Sequence, residues 1–451
     1  MDGLEFYRQS ATAIVHYLAQ ELNITPSVHY RIGAATSGPR VLTLSIVVNP
    51  RYAPKITSLA EQLSMAARLD KSASIRIARG NRGTLTVEIP KPKSLWYHVS
   101  MAALPRRRGL LMTVGLDNEH RPALVNFSDP LTPHALIAGT TGSGKTNVQR
   151  LLVYDLATQN GPEDVRLLLI DTRKRGMGWK PFERLPHLVH PVITDEAAVI
   201  RALAWTVAEV DRRAADGRSR PHIFIGIDET QDLLETEQFV KPVSDLAAVG
   251  REFGVHLLLA TQNPTAKQLG GSADLKRNLS CRLVGKTDSA TSAAVAAGIP
   301  NSGAERLTGA GDFLLVQPDG MTRLTAALLT DKDTARLPRG EASSTLDLAQ
   351  YDDIDHVLAS AASAASANIG CGRPAEPVEP EHLALALADS QISQRELNRQ
   401  FAIGFQRARR VLDLAASVRV ELERLGYIIC NATNCNEIPR GCPWAAETER
   451  S

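Results

Sequence analysis

Residues 134–149 read His-Ala-Leu-Ile-Ala-Gly-Thr-Thr-Gly-Ser-Gly-Lys-Thr-Asn-Val-Gln. An apolar run of strand character, Ala135 to Ala138, leads directly into Gly139, Thr140, Thr141, Gly142, Ser143, Gly144, Lys145 and Thr146, and the helical pattern NVQRLLVYDLA follows. Glycines let successive backbone N–H groups turn inward onto phosphate oxygens. Lys145 is spaced to reach the β and γ phosphates of a nucleotide, and the Thr146 hydroxyl to ligate Mg²⁺. The strand-loop-helix order separates this reading from a glycine-rich surface turn that happens to carry a lysine.

Working outward, residues 134 to about 335 alternate β-rich runs with helical patterns: HALIAG, VRLLLID, HIFIGID, VHLLLAT and CRLVGK, then the more polar FLLVQ and RLTAALL. Near-continuous apolar strands spaced by helices predict an α/β fold with a mostly parallel sheet covered on both faces. A nucleotide site of this type needs an acid at the end of a neighbouring strand, and IFIGI followed by Asp228 and Glu229 supplies one. Asp228 is expected to bind Mg²⁺ through water, and Glu229 to orient the attacking water. Taken without the loop upstream, the same pair could simply cap the segment that follows. Asp171, ending VRLLLID, reads either as a strand-end cap or as a supporting group. Gln262, after VHLLLAT, could report on the γ phosphate, although turn chemistry alone also places Thr-Gln-Asn-Pro there.

The flanks are organised differently. Residues 1–130 alternate short β-like runs with one amphipathic helix expected around Ile56 to Arg68, which reads as a small α+β module. The stretch of alternating strands and helices is bounded at 131–336. An Ala/Ser-rich and then Pro/Glu-rich linker is expected over 337–380, although ASAASAAS could form a short helix. Residues 381–451 show three helix-like segments and then RLGYIICN, an order compatible with a winged helix-turn-helix. Within that module 391–410 carries five arginines against one glutamate.

At 451 residues the chain is long enough for about three domains, and 43% hydrophobic with 22% charged residues excludes a wholly disordered chain. The formal charge of +2 leaves any nucleic-acid contact to local basic patches. No apolar run approaches the ~18 residues of a membrane span, and the first residues, MDGLEFYRQS, lack the features of a signal peptide. The expected compartment is the cytoplasm. Five cysteines fit reduced thiols there. The four at positions 371, 430, 435 and 442 lack a CxxC pair or a nearby histidine that would argue for zinc.

The assembled segments resemble the FtsK/SpoIIIE family of hexameric double-stranded DNA translocases. PHALIAGTTGSGKTN, EDVRLLLID, IGIDETQDLL, GREFGVHLLLATQNP, GKTDSATS and LTGAGDFLL occur in the family's order. PRYAPKITSLAEQLSMAARL and ISQRELNRQFAIGFQRARRVLDL resemble the family's preceding small module and its C-terminal winged helix. The resemblance implies a RecA-like P-loop ATPase core in a ring-shaped oligomer, with ATP, Mg²⁺ and duplex DNA as ligands. It supports Gln262 as a nucleotide sensor and Arg251 as a residue acting in the neighbouring subunit's site, with Arg282 in reserve. It implies DNA contacts by Lys276 and Lys286 in channel loops and by Arg407 and Arg410 in the winged helix. The chain departs from the family where Asn263 and Ala290 stand in place of basic residues.

Without a predicted membrane anchor, transfer of plasmid, phage or conjugative-element DNA is as compatible with the sequence as chromosome segregation. Two other functions compete with translocation. One is a type VII-like protein-secretion ATPase, against which stand the single motor and the basic helix-turn-helix. The other is an ATP-switched DNA-binding protein.

Overall fold

The computed structural model describes residues 3–348 apart from 25–28, 72, 81–82, 231–232, 234–236, 263–272, 342–345 and 347. The winged helix expected over 381–451, with Arg407 and Arg410, lies outside the described residues, as does most of the expected linker.

The N-terminal part begins with a helix that the sequence reading missed, α1 (Gly3–Leu22). Phe6, Ser10, Ile14 and Leu18 fall four residues apart and are all buried, giving one stripe along the helix. Next come β1 (Tyr30–Ser37) and β2 (Val41–Val48). The single helix expected around 56–68 is two short ones, α2 (Ala53–Thr57) and α3 (Ala60–Ala66). Strands β3 (Arg76–Arg79) and β4 (Thr84–Pro90) complete an antiparallel sheet of order β1-β2-β4-β3. Ile14 and Leu18 share a core with Leu44, Ile46, Ile56, Leu63, Val87 and Ile89.

A second, larger sheet contains β5 (Val99–Ser100), β6 (Leu111–Asp117), β7 (Pro122–Asn126), β8 (Ala135–Ala138) and β9 (Val165–Ile170). Helix α4 (Lys145–Gln159) joins β8 to β9, and α5 (Glu196–Asp216) leads to β10 (His222–Ile227). Then follow α6 (Glu237–Val249), β11 (Val255–Thr261), α7 (Ala273–Asn278), β12 (Cys281–Val284) and α8 (Ala290–Ala297). The hairpin β13 (Asp312–Gln317) and β14 (Gly320–Leu328) and a short α9 (Asp331–Thr334) close the series.

Among the described residues the spatial order is β7-β6-β14-β13-β12-β8-β11-β10-β9. From β12 to β9 every neighbour is parallel, whereas β12 through β13, β14 and β6 to β7 is antiparallel. The part of the sheet formed by β8 to β14 is thus mostly parallel, as expected, and β6 and β7 extend it antiparallel into a mixed sheet. The two-residue connection between Gln317 and Gly320 leaves no room for a crossover helix, so β14 must return antiparallel. Because β6 and β7 pair into this sheet, the change from small to large sheet falls between Pro90 and Val99, not near 130. The expected linker also starts too early, since Leu337 and Leu346 are buried in the cores of the large sheet.

Helices cover both faces of the parallel half, as expected. Ile137, Leu167, Leu169, Leu258 and Ala260 pack with Val148, Leu151 and Leu152 of α4. The alternate residues Leu136, Leu168, Ile170, Ile225 and Leu259 pack with Val199 and Leu203 of α5 and Phe239 and Val243 of α6. No helix among the described residues is long and apolar enough to cross a membrane.

The two sheets are joined through buried charges. Arg323 on β14 donates from Nε and Nη2 to Asp312 (2.9 and 2.6 Å) and from Nη1 to Glu88 on β4 (2.7 Å). Arg76 on β3 meets the same Glu88 at 3.0 Å and donates to the Ser302 carbonyl at 2.9 Å. All four charged side chains are nearly inaccessible to solvent. Burial would raise the Asp312 carboxyl, but Arg323 and the Thr308 amide and hydroxyl hold it below the ordinary aspartate range. Its contribution to stability is therefore complete above its unfolded pKa of about 4 and is lost as the pH falls below that value.

Replacing Arg323 with methionine should lower the unfolding free energy by about 3–5 kcal/mol, because Asp312 then stays buried without its cation. Arg121→Ala, which removes an arginine 64% exposed beside Asp117, should cost less than about 1 kcal/mol. Urea unfolding of both variants checks this; equal losses would show that the buried pair contributes no more than the surface one.

Candidate functional site

The loop after β8 is shaped by its glycines. Gly139, Gly142 and Gly144 have φ of +148°, +78° and +104°, values open to glycine and strained for other residues. Gly144 is the N-cap of α4, so the helix begins at Lys145 and points its positive end into the loop. The loop is held from behind. Thr140 donates through its amide (2.7 Å) and hydroxyl (3.0 Å) to the Lys286 carbonyl. Lys145 lies buried, donating from Nζ to the carbonyls of Gly139 (2.8 Å) and Thr140 (3.1 Å). Burial pulls its ammonium down to about 8, although Asp228 and Glu229 oppose the shift.

The acids arrive from β10, which is separated from β8 by β11 and so lies about 10 Å from it. Side chains must span that gap, and they do. The Thr146 hydroxyl lies 3.3 Å from Asp228 Oδ2. Asp228 is buried, and among the described residues its Oδ1 has no hydrogen-bond partner, leaving a carboxylate oxygen available to a cation. Glu229 adopts φ +56°, a left-handed conformation that turns its side chain back toward the loop. From the end of β11, Gln262 donates to Glu229 Oε1 (2.6 Å) and accepts from the Thr141 hydroxyl (2.8 Å). Gln262 thus joins the phosphate loop to the acid.

Sequence reading missed Lys174. Its Nζ lies 2.8 Å from Glu229 Oε1, 3.1 Å from Asp228 Oδ2 and 3.4 Å from the Thr146 hydroxyl, while Arg173 approaches Glu229 Oε2 at 3.4 Å. Burial alone would raise the Glu229 carboxyl, yet Lys174, Gln262 and Arg173 together hold it below the usual glutamate range. The same acids raise the Lys174 ammonium despite its partial burial. Asp171 explains how Lys174 gets there. Its carboxylate accepts from the amides of Lys174 (2.9 Å) and Gly178 (2.8 Å), folding residues 171–178 back over the site. The available signal was the cationic run Arg173-Lys174-Arg175 directly after a strand-end aspartate.

The remaining expected residues are dispersed. Arg251 sits in the turn Gly250–Phe253 before β11, donating to the Pro130 carbonyl at 3.0 Å. β11 is seven residues long and parallel to β8, so Arg251 lies about 20 Å along the strand direction from its own phosphate loop. Arg282 is fully engaged: its guanidinium donates to the carbonyls of Leu279, Val295, Ala296 and Lys276, which removes it as the reserve candidate. Lys276 lies on α7 and Lys286 beside the phosphate loop, both half-buried. The buried Cys281, its thiol pushed up to about 12, is unreactive.

The residues fit a magnesium nucleotide. Thr146 and the buried Asp228 carboxylate, which meet at 3.3 Å, would hold the cation, whose charge would offset that of the phosphates. Among the described residues no group of three or more His, Cys, Asp or Glu residues could hold a metal unaided.

Residues 105–220 match the FtsK/SpoIIIE family model. The chain is 30% identical over 412 residues to the DNA translocase FtsK of Lactiplantibacillus plantarum, covering 83% of this chain and 49% of that protein. It is 26% identical over 442 residues to the DNA translocase SftA of Bacillus subtilis, covering 90% of this chain and 44% of that protein. Among solved structures, the pCW3 conjugation coupling protein TcpA aligns with a TM-score of 0.48 and 19% identity, over 72% of this chain and 96% of that one. The chain spans about half the length of the curated relatives it matches. It carries an FtsK/SpoIIIE-family domain and is homologous over most of its length to that family's DNA translocases.

Proposed function

We propose that the chain is an ATPase that moves duplex DNA, working as a ring-shaped oligomer with a RecA-like core. The observation that carries this is that Asp228 meets Thr146 and Gln262 meets Thr141 of the phosphate loop, with Glu229 joined to the loop through Gln262. Hydrolysis needs phosphates held in line with a water and charge stabilised as it spreads over the transferring oxygens. The loop amides and Lys145 hold the phosphates. Thr146 and Asp228 hold Mg²⁺, which when bound neutralises charge on the phosphate oxygens. Glu229, kept ionised by its cationic neighbours, accepts a hydrogen bond from the attacking water and fixes its direction. Gln262 transmits the state of the loop to Glu229.

Arg251 lies too far from its own loop to serve it, so its role is in trans on a neighbour's phosphates, which makes a closed ring the natural assembly. A hexamer follows from the family resemblance. Duplex DNA is the proposed cargo on the strength of the homologous translocases, with grip from Lys276, Lys286 and, outside the described residues, Arg407 and Arg410. The proposed compartment is the cytoplasm, and mobile-element transfer and chromosome segregation are both compatible with the motor.

Purified chain with ATP should displace a triplex-forming strand from linear duplex, and Glu229→Gln should retain ATP binding while losing turnover and displacement. ATP turnover with no displacement and no stimulation by duplex would favour a secretion ATPase. Nucleotide-dependent DNA binding without displacement would favour a switch.

Mixing Arg251→Ala with Lys145→Ala subunits should restore part of the turnover that each lacks, because an intact arginine can then face an intact loop. No recovery in mixtures shown to co-assemble would rule out the trans assignment.

Phosphate attracts the charged form of Lys145, whose pKa lies at about 8 before binding. Binding must then take up a proton above that pH, so ATP affinity should fall by up to about tenfold per pH unit as the pH rises past 8. Lys145→Met should bind weakly with a flat profile. Calorimetric titration between pH 7 and 9.5 decides between the two.

A further inference from the structure

The phosphate loop is supported by a short segment, 309–311, that also touches the small N-terminal sheet. Gly309, Ala310 and Gly311 have consecutive φ of +79°, +48° and +103°. The two glycines take this conformation readily, but Ala310 has a Cβ and is strained in it. Their amides and carbonyls consequently point to opposite sides. On one side Ala310 N donates to the Gly142 carbonyl (3.2 Å) and Gly311 N to the Ser143 carbonyl (2.7 Å), both in the phosphate loop. The approach is close enough that a Cβ on Gly144 would lie 3.1 Å from Gly311 N.

On the other side stands Arg40, from the turn between β1 and β2. Its Nη1 donates to the Gly309 carbonyl at 2.8 Å and its Nη2 to the Ala310 carbonyl. The guanidinium is stacked 4.7 Å from the Trp96 ring centroid and is almost wholly buried. Its Nε has no acceptor, and it forms no direct ion pair among the described residues. A buried arginine with an idle Nε, attracted by Asp312 but with no direct ion pair among the described residues, is a weak stabilising device. What its two donors do is hold the carbonyls of the strained segment. The turn bearing it is fixed in place, since a Cβ on Gly38 would lie 2.9 Å from Asn118 Cα of the large sheet.

We propose that Arg40 is a positioning residue of the nucleotide site. It holds 309–311 in the left-handed conformation that supports Gly142 and Ser143, and so couples phosphate binding to the seating of the small sheet. This rests on reading 139–146 as the nucleotide site. The coupling is reciprocal: if Arg40 favours the loop geometry that binds phosphate, bound phosphate must stabilise the Arg40 contact.

Two measurements on the full chain with Mg²⁺ and ATP test it. Arg40→Met keeps an unbranched stem beside Trp96 but removes both donors; its ATP affinity should fall about tenfold, with Arg40→Lys recovering part. In the unmodified chain, ATP should slow hydrogen exchange in 36–48 and 309–312 as well as in 139–148. A purely structural arginine would lower the melting temperature of Arg40→Met while leaving ATP affinity and the exchange of 36–48 unmoved, and that result would overturn the inference. If Arg40→Met does not fold, the exchange measurement decides alone. Failure of the unmodified chain to bind ATP would instead overturn the site reading, and this inference with it.

Discussion

The buried pair of Asp312 and Arg323 is the constraint on which the architecture turns. Asp312 accepts from the amide and hydroxyl of Thr308 (2.7 and 2.8 Å), which fixes the segment pressing on the phosphate loop. Arg323 holds Asp312 from the next strand and reaches Glu88 on the small sheet. One guanidinium therefore aligns the small sheet, the antiparallel hairpin and the support beneath the phosphates. Such a cluster persists because each charge has hydrogen-bonded partners, while deleting one member strands the others away from water.

The electrostatics of the site follow a related logic at higher exposure. Two adjacent acids at one strand end repel each other, and Lys174 and Arg173 offset that repulsion from a loop folded back by Asp171. Lys174 is only partly buried, so it can yield its place near Thr146 and Asp228 without leaving its charge stranded in the core. Glu229 pairs an unfavourable backbone conformation with a carboxylate held by Lys174 and Gln262 on one oxygen and Arg173 on the other, a combination that fixes its direction.

Strand arrangement converts these local features into a site. Placing β11 between β8 and β10 keeps the acids one strand beyond the phosphate loop and puts Gln262 in the gap. Because β8 and β11 run parallel, the residue before β11 and the loop after β8 lie at opposite ends of the sheet. That separation keeps Arg251 away from the phosphate loop of its own chain.

By itself the sequence determined the phosphate loop, the acids and the parallel half of the fold, because these are local: glycines demand left-handed φ, and unbroken apolar runs demand burial on both faces. It did not determine that β6 and β7 extend the large sheet, since pairing between distant strands leaves no mark on either one alone. Nor did it reveal α1, where Ser10 interrupts the apolar stripe as the second of its four positions. Lys174, the engagement of Arg282 and the reach of Arg40 across roughly 270 residues to Gly309 and Ala310 were decided only by the tertiary structure. In each, one long cationic side chain chooses among many carbonyls and carboxylates, and only folding brings a particular acceptor within about 3 Å of it.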